Sequence, residues 1–214
     1  AADGHNIIGV DSNSRKLDLI NDGKPTVIED GLNDLIYNGV ADKKITATDD
    51  YIYAVENSDV SVICVGTPSG DDGRLDLSHV VKVSQQIAEA LKTKKDFHVI
   101  SIRSSVPPGT VFKIENIIAD ISGKIVDKDF SVLANPEFLR EGSAVSDYYN
   151  PPYTLIGGNN NTAMELLASL YSKVNAKVEY TDISNAELIK FVNNSYHALK
   201  VSFANEIGNI CSSL

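Results

Sequence analysis

Cysteine is scarce in this chain of 214 residues. The two cysteines, Cys64 and Cys211, lie far apart and form no C-x-x-C pair. This excludes a disulfide framework or a zinc knuckle as the basis of the fold, and we predict no metal site. Both side chains are expected to be small buried apolar residues, and so low a cysteine content is typical of a reducing cytoplasm.

Positive charge and long hydrophobic runs are also in short supply. Nineteen Lys and Arg face 29 Asp and Glu, a formal net charge of −10, which disfavours nucleic-acid polymers and anionic membranes as partners. No stretch approaches the ~20 apolar residues that span a bilayer, and the first residues lack the features of a signal peptide. The remaining composition, 43% hydrophobic and 22% charged, is typical of a soluble globular protein.

Short apolar runs alternate with segments of helical spacing, a pattern that predicts βαβ units around a mostly parallel sheet. The predicted strands are Asn6–Val10, Val60–Val65, Phe97–Ile102, Phe130–Leu133, Tyr153–Ile156 and Lys177–Tyr180. Ser78–Leu91 and Thr110–Ile121 are predicted crossover helices. We therefore expect an α/β fold, a doubly wound Rossmann-like domain over residues 1–182, and a long connecting helix that opens a second domain over 183–214.

Asp11 ends the first predicted strand, where a dinucleotide fold places the carboxylate that binds the adenosine ribose. An Asp at this point can equally cap the following helix. The glycine-rich phosphate loop normally precedes this acid by ~20 residues, which counts back past residue 1. The first strand and its loop are thus expected to be absent from these residues, with poor dinucleotide affinity as the consequence.

Three polar segments follow predicted strands, at the sheet edge where α/β proteins bind ligands. They are Val65–Ser69, Arg103–Thr110 and Asn135–Gly142. Each segment on its own is also compatible with an ordinary turn in which Pro and Gly fix the backbone. In that interpretation Thr110 and Asn135 cap helices, and Glu137 lies near the positive end of a helix dipole.

A long helix is predicted to begin at Ser184, with Glu187 at capping-box spacing, and to run towards Leu214. At about 100° per residue, one face is polar and comprises Lys190, Asn194, His197, Val201, Asn205 and Gly208. The other face is apolar, is expected to pack on a core, and comprises Ile189, Val192, Tyr196, Leu199, Phe203, Ile207 and Ile210. The amide-rich stripe favours a functional site, although a solvated helix face with a lone histidine is the alternative.

Four segments in the same order resemble one family of enzymes: VGTPSGDDGRLDLSHV (65–80), SSVPPGT (104–110), NPEFLREGSAVSDYYNPPYTLIG (135–157) and AELIKFVNNSYHALKVSFANEIGNIC (186–211). They are similar to the nucleotide-sugar dehydrogenases that oxidise UDP-glucose or GDP-mannose at C6 to the uronic acid. The resemblance covers nearly the whole chain. The sequences of these segments are most similar to the GDP-mannose branch of the family, which is associated with the supply of alginate-type uronates.

The resemblance implies NAD as the cofactor and a nucleotide sugar as the substrate. The implied cofactor-binding residues, at the ribose and along the NAD path, are Asp11, Lys16, Thr67, Ser105 and Glu141. The implied catalytic residues, around C6 of the sugar, are Glu137, Lys190, Asn194 and Ser105. The implied substrate-binding residues are Leu139, Arg140, Lys190, Asn194, His197 and Asn205.

The implied reaction removes two hydrides in succession through a thiohemiacetal and a thioester on a cysteine, in a cytoplasmic homodimer joined through the long helix. The family places that cysteine beyond this helix, so the 214 residues alone are expected to be inactive. Two local departures are Ser105 in place of the usual Thr, and Glu29-Asp30-Gly31 in place of Glu-Pro-Gly.

Two other interpretations stay open. A two-electron hydroxyacid or phosphogluconate-type dehydrogenase would also use a helix Lys and Asn four residues apart, although NPEFLREG argues against it. A non-catalytic nucleotide-binding module would need no nucleophile at all.

Overall fold

The computed structural model describes residues 1–140 and 142–214. Its strands are β1 (Ile7–Val10), β2 (Ile45–Thr48), β3 (Val60–Ile63), β4 (His98–Ile102), β5 (Phe130–Ala134), β6 (Thr154–Gly157) and β7 (Val178–Thr181). Its helices are α1 (Ser14–Asn21), α2 (Leu32–Ala41), α3 (Tyr51–Glu56), α4 (Ser78–Leu91), α5 (Thr110–Ser122), α6 (Ala144–Tyr149), α7 (Asn161–Ser169) and α8 (Ile183–Ser213).

The strands form two sheets, with orders β1-β2 and β3-β4-β5-β6-β7. All neighbours are parallel except β5 and β6, which meet in an antiparallel pair at Ala134 and Gly157. The predicted α/β class with a mostly parallel sheet and a long final helix is confirmed. Among the described residues, no strand joins β1 to β3.

Successive side chains of the buried strands β4 and β5 point to opposite faces of the sheet, so the sheet has a hydrophobic core on each face. Ile100, Ile102 and Val132 point towards the crossover helices α4 and α5. Val99 and Leu133 point to the opposite face, where α7 covers the sheet. Helices on both faces leave the carboxyl ends of β3, β4 and β5 as an open rim of loops.

Helix α8 begins in close contact with the sheet. A Cβ added at Gly157, at the end of β6, would lie 2.5 Å from the Cβ of Ala186, so only glycine permits this approach. The Asp182 side chain caps the helix by accepting a hydrogen bond from Asn185 N at 2.8 Å. The predicted capping box of Ser184 and Glu187 is therefore wrong, because Glu187 bonds to a different helix.

Beyond Lys190 almost all of α8 is exposed. Its apolar side chains, expected to pack on a core, face solvent instead, among them Leu199 and Phe203 at 65% and 67% exposure. Cys64 and Cys211 are likewise exposed rather than buried as expected. Among the described helices, α8 included, none is both long and apolar enough to cross a membrane.

Candidate functional site

The rim loops that follow β3, β4 and β5 are joined to one another by hydrogen bonds. Thr67 Oγ1 donates to the carbonyl of Ser105 at 2.9 Å, and Ser104 Oγ donates to the carbonyl of Val65 at 2.6 Å. Asn135 N continues the β4–β5 pairing by donating to Ile102 O at 2.9 Å. The predicted ligand edge is thus a connected surface, and it holds Thr67 and Ser105 together.

Glu137 and Lys190 converge at this rim from elements 53 residues apart. Lys190 Nζ lies 2.9 Å from Glu137 Oε1 and 2.5 Å from the Glu137 carbonyl oxygen. Glu137 Oε2 accepts from Leu139 N at 2.5 Å, so both carboxylate oxygens are oriented. The Lys190 side chain is 8% exposed and that of Glu137 31%, which leaves the carboxylate open to a ligand or water.

Arg103 extends from the end of β4 over the turn that carries Glu137. Its Nη1 donates to Asn135 Oδ1 at 3.2 Å and to the Tyr171 hydroxyl oxygen at 3.1 Å. Asn135 is fully buried and donates in turn to Leu155 O at 2.8 Å. In the described part of the chain, Arg103 pairs with neutral groups alone, so it adds net positive charge to the site.

A small cleft of about 30 Å³ lies between these groups, with Arg103, Glu137, Phe138, Leu139 and Tyr148 among its lining residues. A cleft of that size holds roughly one water molecule. By itself the cleft is too small for a dinucleotide or a nucleotide sugar, whose pockets are typically about 300 to 1,000 Å³.

The loop after Glu137 is closed by an ion pair between Arg140 and Asp147. The Arg140 guanidinium makes a two-point contact with Asp147, at 2.7 and 3.0 Å, and Arg140 N adds a third bond at 3.0 Å. Hydrogen bonds from this guanidinium hold the pKa of Asp147 well below its usual range. The predicted substrate residue Arg140 thus has its guanidinium engaged within its own loop.

Asp11 and Lys16 form an ion pair at the carboxyl end of β1, with 3.2 Å between Lys16 Nζ and Asp11 Oδ2. Asp11 Oδ1 accepts from Asn13 N at 2.9 Å, and this backbone bond is the main reason that the pKa of Asp11 is lowered. Asn13, not Asp11, caps α1. An exposed, ionised carboxylate beside an ammonium suits a ribose that presents hydroxyl groups, so the pair fits the predicted cofactor role.

The remaining predicted residues are not gathered at the rim. Asn194, His197 and Asn205 lie on the exposed part of α8, and in the described residues their side chains make no hydrogen bond that joins them to Glu137. Leu139 lines the small cleft beside Glu137. Glu141 lies outside the described residues.

Sequence reasoning missed three charged residues that organise the site: Glu29, Arg103 and Glu187. Arg103 lay within a segment that was singled out, but its neutral partners are set by the fold. Glu187 accepts from Gly109 N at 2.7 Å and Val111 N at 2.8 Å, across 78 and 76 residues. No local spacing signals contacts over such separations.

Comparison with known proteins identifies the family. Residues 1–175 match the NAD binding domain of the UDP-glucose/GDP-mannose dehydrogenase family, and residues 184–214 match its central domain. The chain belongs to this family, which confirms the resemblance and NAD as the cofactor of this domain type.

Relatives of two substrate types are similar to the chain. The GDP-mannose 6-dehydrogenase of Pseudomonas syringae pv. tomato is 45% identical over 100% of this chain and 49% of its own length. The UDP-glucose 6-dehydrogenase of Haloferax volcanii is 36% identical over 97% and 49%. The chain therefore spans about half the length of the curated relatives that it matches.

Solved structures agree with these sequence matches. A ternary complex of GDP-mannose dehydrogenase from Pseudomonas aeruginosa superposes with a TM-score of 0.95 at 45% identity, over 98% of this chain and 48% of that one. A UDP-glucose dehydrogenase from Pyrobaculum islandicum gives 0.90 at 33% identity, over 96% and 47%.

Proposed function

We propose that this chain forms the NAD-binding part of a nucleotide-sugar 6-dehydrogenase that oxidises GDP-mannose to its uronic acid. The observation that carries the proposal is the contact of Glu137 with Lys190 at the carboxyl rim of the sheet. GDP-mannose is favoured over UDP-glucose because the matched GDP-mannose enzyme is 45% identical and the UDP-glucose enzyme 36%. A role in supplying uronate for an alginate-type polysaccharide in the cytoplasm follows from that substrate.

In this proposal Lys190 stabilises negative charge on the C6 oxygen. An ammonium has three N–H donors, and two of those on Lys190 are used by Glu137. In the described part of the chain the third has no partner, so it could donate to an alkoxide or a tetrahedral oxyanion, where a fixed positive donor acts most strongly. Asn194, one helical turn further along α8, would contribute a neutral donor to the same oxygen.

Glu137 would move protons to and from the C6 hydroxyl through a water molecule. Its carboxylate is held by Lys190 and Leu139 N yet remains partly exposed, which is the arrangement a general base needs. The reaction then passes through a thiohemiacetal and a thioester on a cysteine supplied from outside these residues, and water releases the acid. Two NAD molecules, bound one after the other, would each accept one hydride and leave as NADH.

The other proposed roles follow the positions of the side chains. Asp11 and Lys16 would bind the adenosine ribose, and Thr67 and Ser105 would line the NAD path, with Ser105 also next to the reacting centre. Glu141 would approach the nicotinamide. Leu139, Arg140, His197 and Asn205 would bind the sugar nucleotide.

We further propose that residues 1–182 form the cofactor domain and that residues 183–214 open a second domain, through which the protein dimerises. The exposed apolar side chains of α8, such as Leu199 and Phe203, support this division. A second copy is the partner that symmetry most readily supplies.

The direct test is the number of NADH molecules formed per GDP-mannose consumed by the intact enzyme. Two NADH support the proposal, one with accumulation of a carbonyl product indicates the two-electron alternative, and none with either sugar nucleotide indicates a non-catalytic module. Lys190→Ala should lower kcat by about 100-fold or more, as loss of an oxyanion donor does. Lys200→Ala, an exposed lysine on the same helix, is the matched control and should retain full activity.

A further inference from the structure

Glu29 lies in the connection between α1 and α2, far along the chain from the site, yet its carboxylate reaches the loop after Glu137. Glu29 Oε1 accepts from Gly142 N at 2.8 Å, and Oε2 accepts from Ala144 N at 3.3 Å. The two contacts cross 113 and 115 residues of sequence. Both oxygens of one carboxylate thus hold two backbone groups of a single loop.

Among the described loop residues, no side chain caps these backbone groups. Ala144 begins α6, and the N-cap residue Ser143 does not cap it, since its hydroxyl donates instead to Asp147 Oδ2 at 3.1 Å. Gly142 has φ +80°, a left-handed conformation that glycine adopts readily. A carboxylate is the group best suited to N–H donors at a helix start, because the bonds are charge-assisted and the helix dipole favours negative charge there.

The described residues of the loop after β5, 136–140 and 142–143, are consequently held at three points. Lys190 holds its start through both the carbonyl and the carboxylate of Glu137. Asp147 holds its middle through Arg140. Glu29 holds its end, and it comes from the part of the chain that carries the Asp11–Lys16 ion pair.

We propose that Glu29 is a positioning residue. By holding the backbone of Gly142 and Ala144, it keeps Glu137 in contact with Lys190 and fixes the proposed cofactor-binding and sugar-binding residues relative to each other. The inference rests on the proposed function, since it assigns Glu29 to the same site. It also gives a role to the Glu-Asp-Gly segment, where the family pattern has Glu-Pro-Gly.

The test compares Glu29→Gln and Glu29→Ala with the wild-type intact enzyme, and uses Asp30→Ala as the matched control. Gln keeps one acceptor oxygen and Ala keeps none, so kcat should fall in that order, by about 10-fold or more for Ala, as small misplacements of catalytic groups do. The KM for NAD should change little. Hydrogen exchange at the amides of Gly142 and Ala144 should accelerate in the same order, while Asp30→Ala matches wild type in both measurements.

The inference is overturned if Glu29→Ala exchanges these amides at the wild-type rate, or if its kcat is unchanged. If Glu29→Ala does not fold, the Gln variant decides by the same two measurements. If wild type oxidises neither GDP-mannose nor UDP-glucose, the proposed function fails, and amide exchange alone then shows whether Glu29 holds the loop.

Discussion

Lys190 carries a positive charge that is nearly buried beside the proposed reacting centre. An ammonium at 8% exposure is costly to bury unless a charge of opposite sign lies beside it. Glu137 supplies that charge, and the Phe138 ring lies 5.4 Å from the ammonium nitrogen on another side. The pairing keeps the cation in the site and ready for an incoming oxygen.

Glu115 is a carboxyl group without such compensation. Burial, with further contributions from Asp127 and Glu187, raises the pKa of Glu115 to about 7. Since this folded-state pKa lies above the ordinary value of 4.5, the folded protein loses stability as the pH rises from about 4.5 to about 7, where the unfolded chain ionises more readily at Glu115 than the folded one does.

Glu115→Gln should therefore stabilise the protein at pH 8 and have a smaller effect at pH 5. Because the carboxyl is partly exposed and screened by solvent, we expect a gain of only about 1 kcal/mol in the free energy of unfolding at pH 8. Urea unfolding at the two pH values measures it, with Glu165→Gln, at an exposed position on α7, as the control. An equal change at both pH values would contradict the assignment.

Two helices, α5 and α6, begin with N–H groups bonded by a carboxylate from a distant part of the chain. Helix α5 begins after Gly109 at φ +91°, and the Glu187 carboxylate of α8 accepts its first N–H groups. Burial raises the pKa of Glu187 while these backbone bonds oppose the rise. One carboxylate thus completes α5 and fixes the start of α8 against the domain.

Glu187→Ala should remove both bonds and leave the N–H of buried Val111 unsatisfied. The expected cost is about 2 to 4 kcal/mol in the free energy of unfolding. Chemical denaturation measures it, and Glu206→Ala, at an exposed position of the same helix, should change stability by less than about 0.5 kcal/mol. Similar losses for the two variants would show that Glu187 does not cap α5.

The long elements could be predicted from the sequence because their patterns are strong. The apolar runs of β3 to β7 and the stripes of α4 and α5 placed those elements to within about two residues. The sequence did not predict β2, α1 to α3, α6 or α7. These helices have only six to ten residues and give little periodicity, and β2 (ITAT) has a single strongly apolar residue. The rim was predicted because parallel strands all end there, but the contacts of Glu29, Arg103 and Glu187 depend on packing between distant segments.

Eight of the 20 large apolar side chains that are exposed in the described residues lie along the single helix α8. Tyr196, Leu199 and Phe203 are each at least 60% exposed. A continuous apolar surface of this kind typically marks an interface. The proposed dimer would bury it.

Phe203→Glu should weaken self-association of the intact protein by placing a charge in that interface. We expect the dimer to dissociate at a concentration at least about 10-fold higher than for wild type, as burial of one unpaired charge costs more than 1.4 kcal/mol. Analytical ultracentrifugation measures this, with Asn209→Glu, a substitution at a polar residue on the same helix, as the control. A monomeric wild type at micromolar concentration would contradict the dimer.

Helix α8 contacts the rest of the described chain at its first residues only, so a small rotation there moves its far end by a large distance. Its 31 residues extend for about 45 Å, while the buried contacts end at Lys190. A tilt of one degree at that point displaces Ile210 by about 0.5 Å, since the intervening 20 residues span about 30 Å. The positions of Asn194, His197 and Asn205 therefore depend on the surface that packs against α8. If that surface is a second copy of the protein, turnover per protomer should fall on dilution as the dimer dissociates.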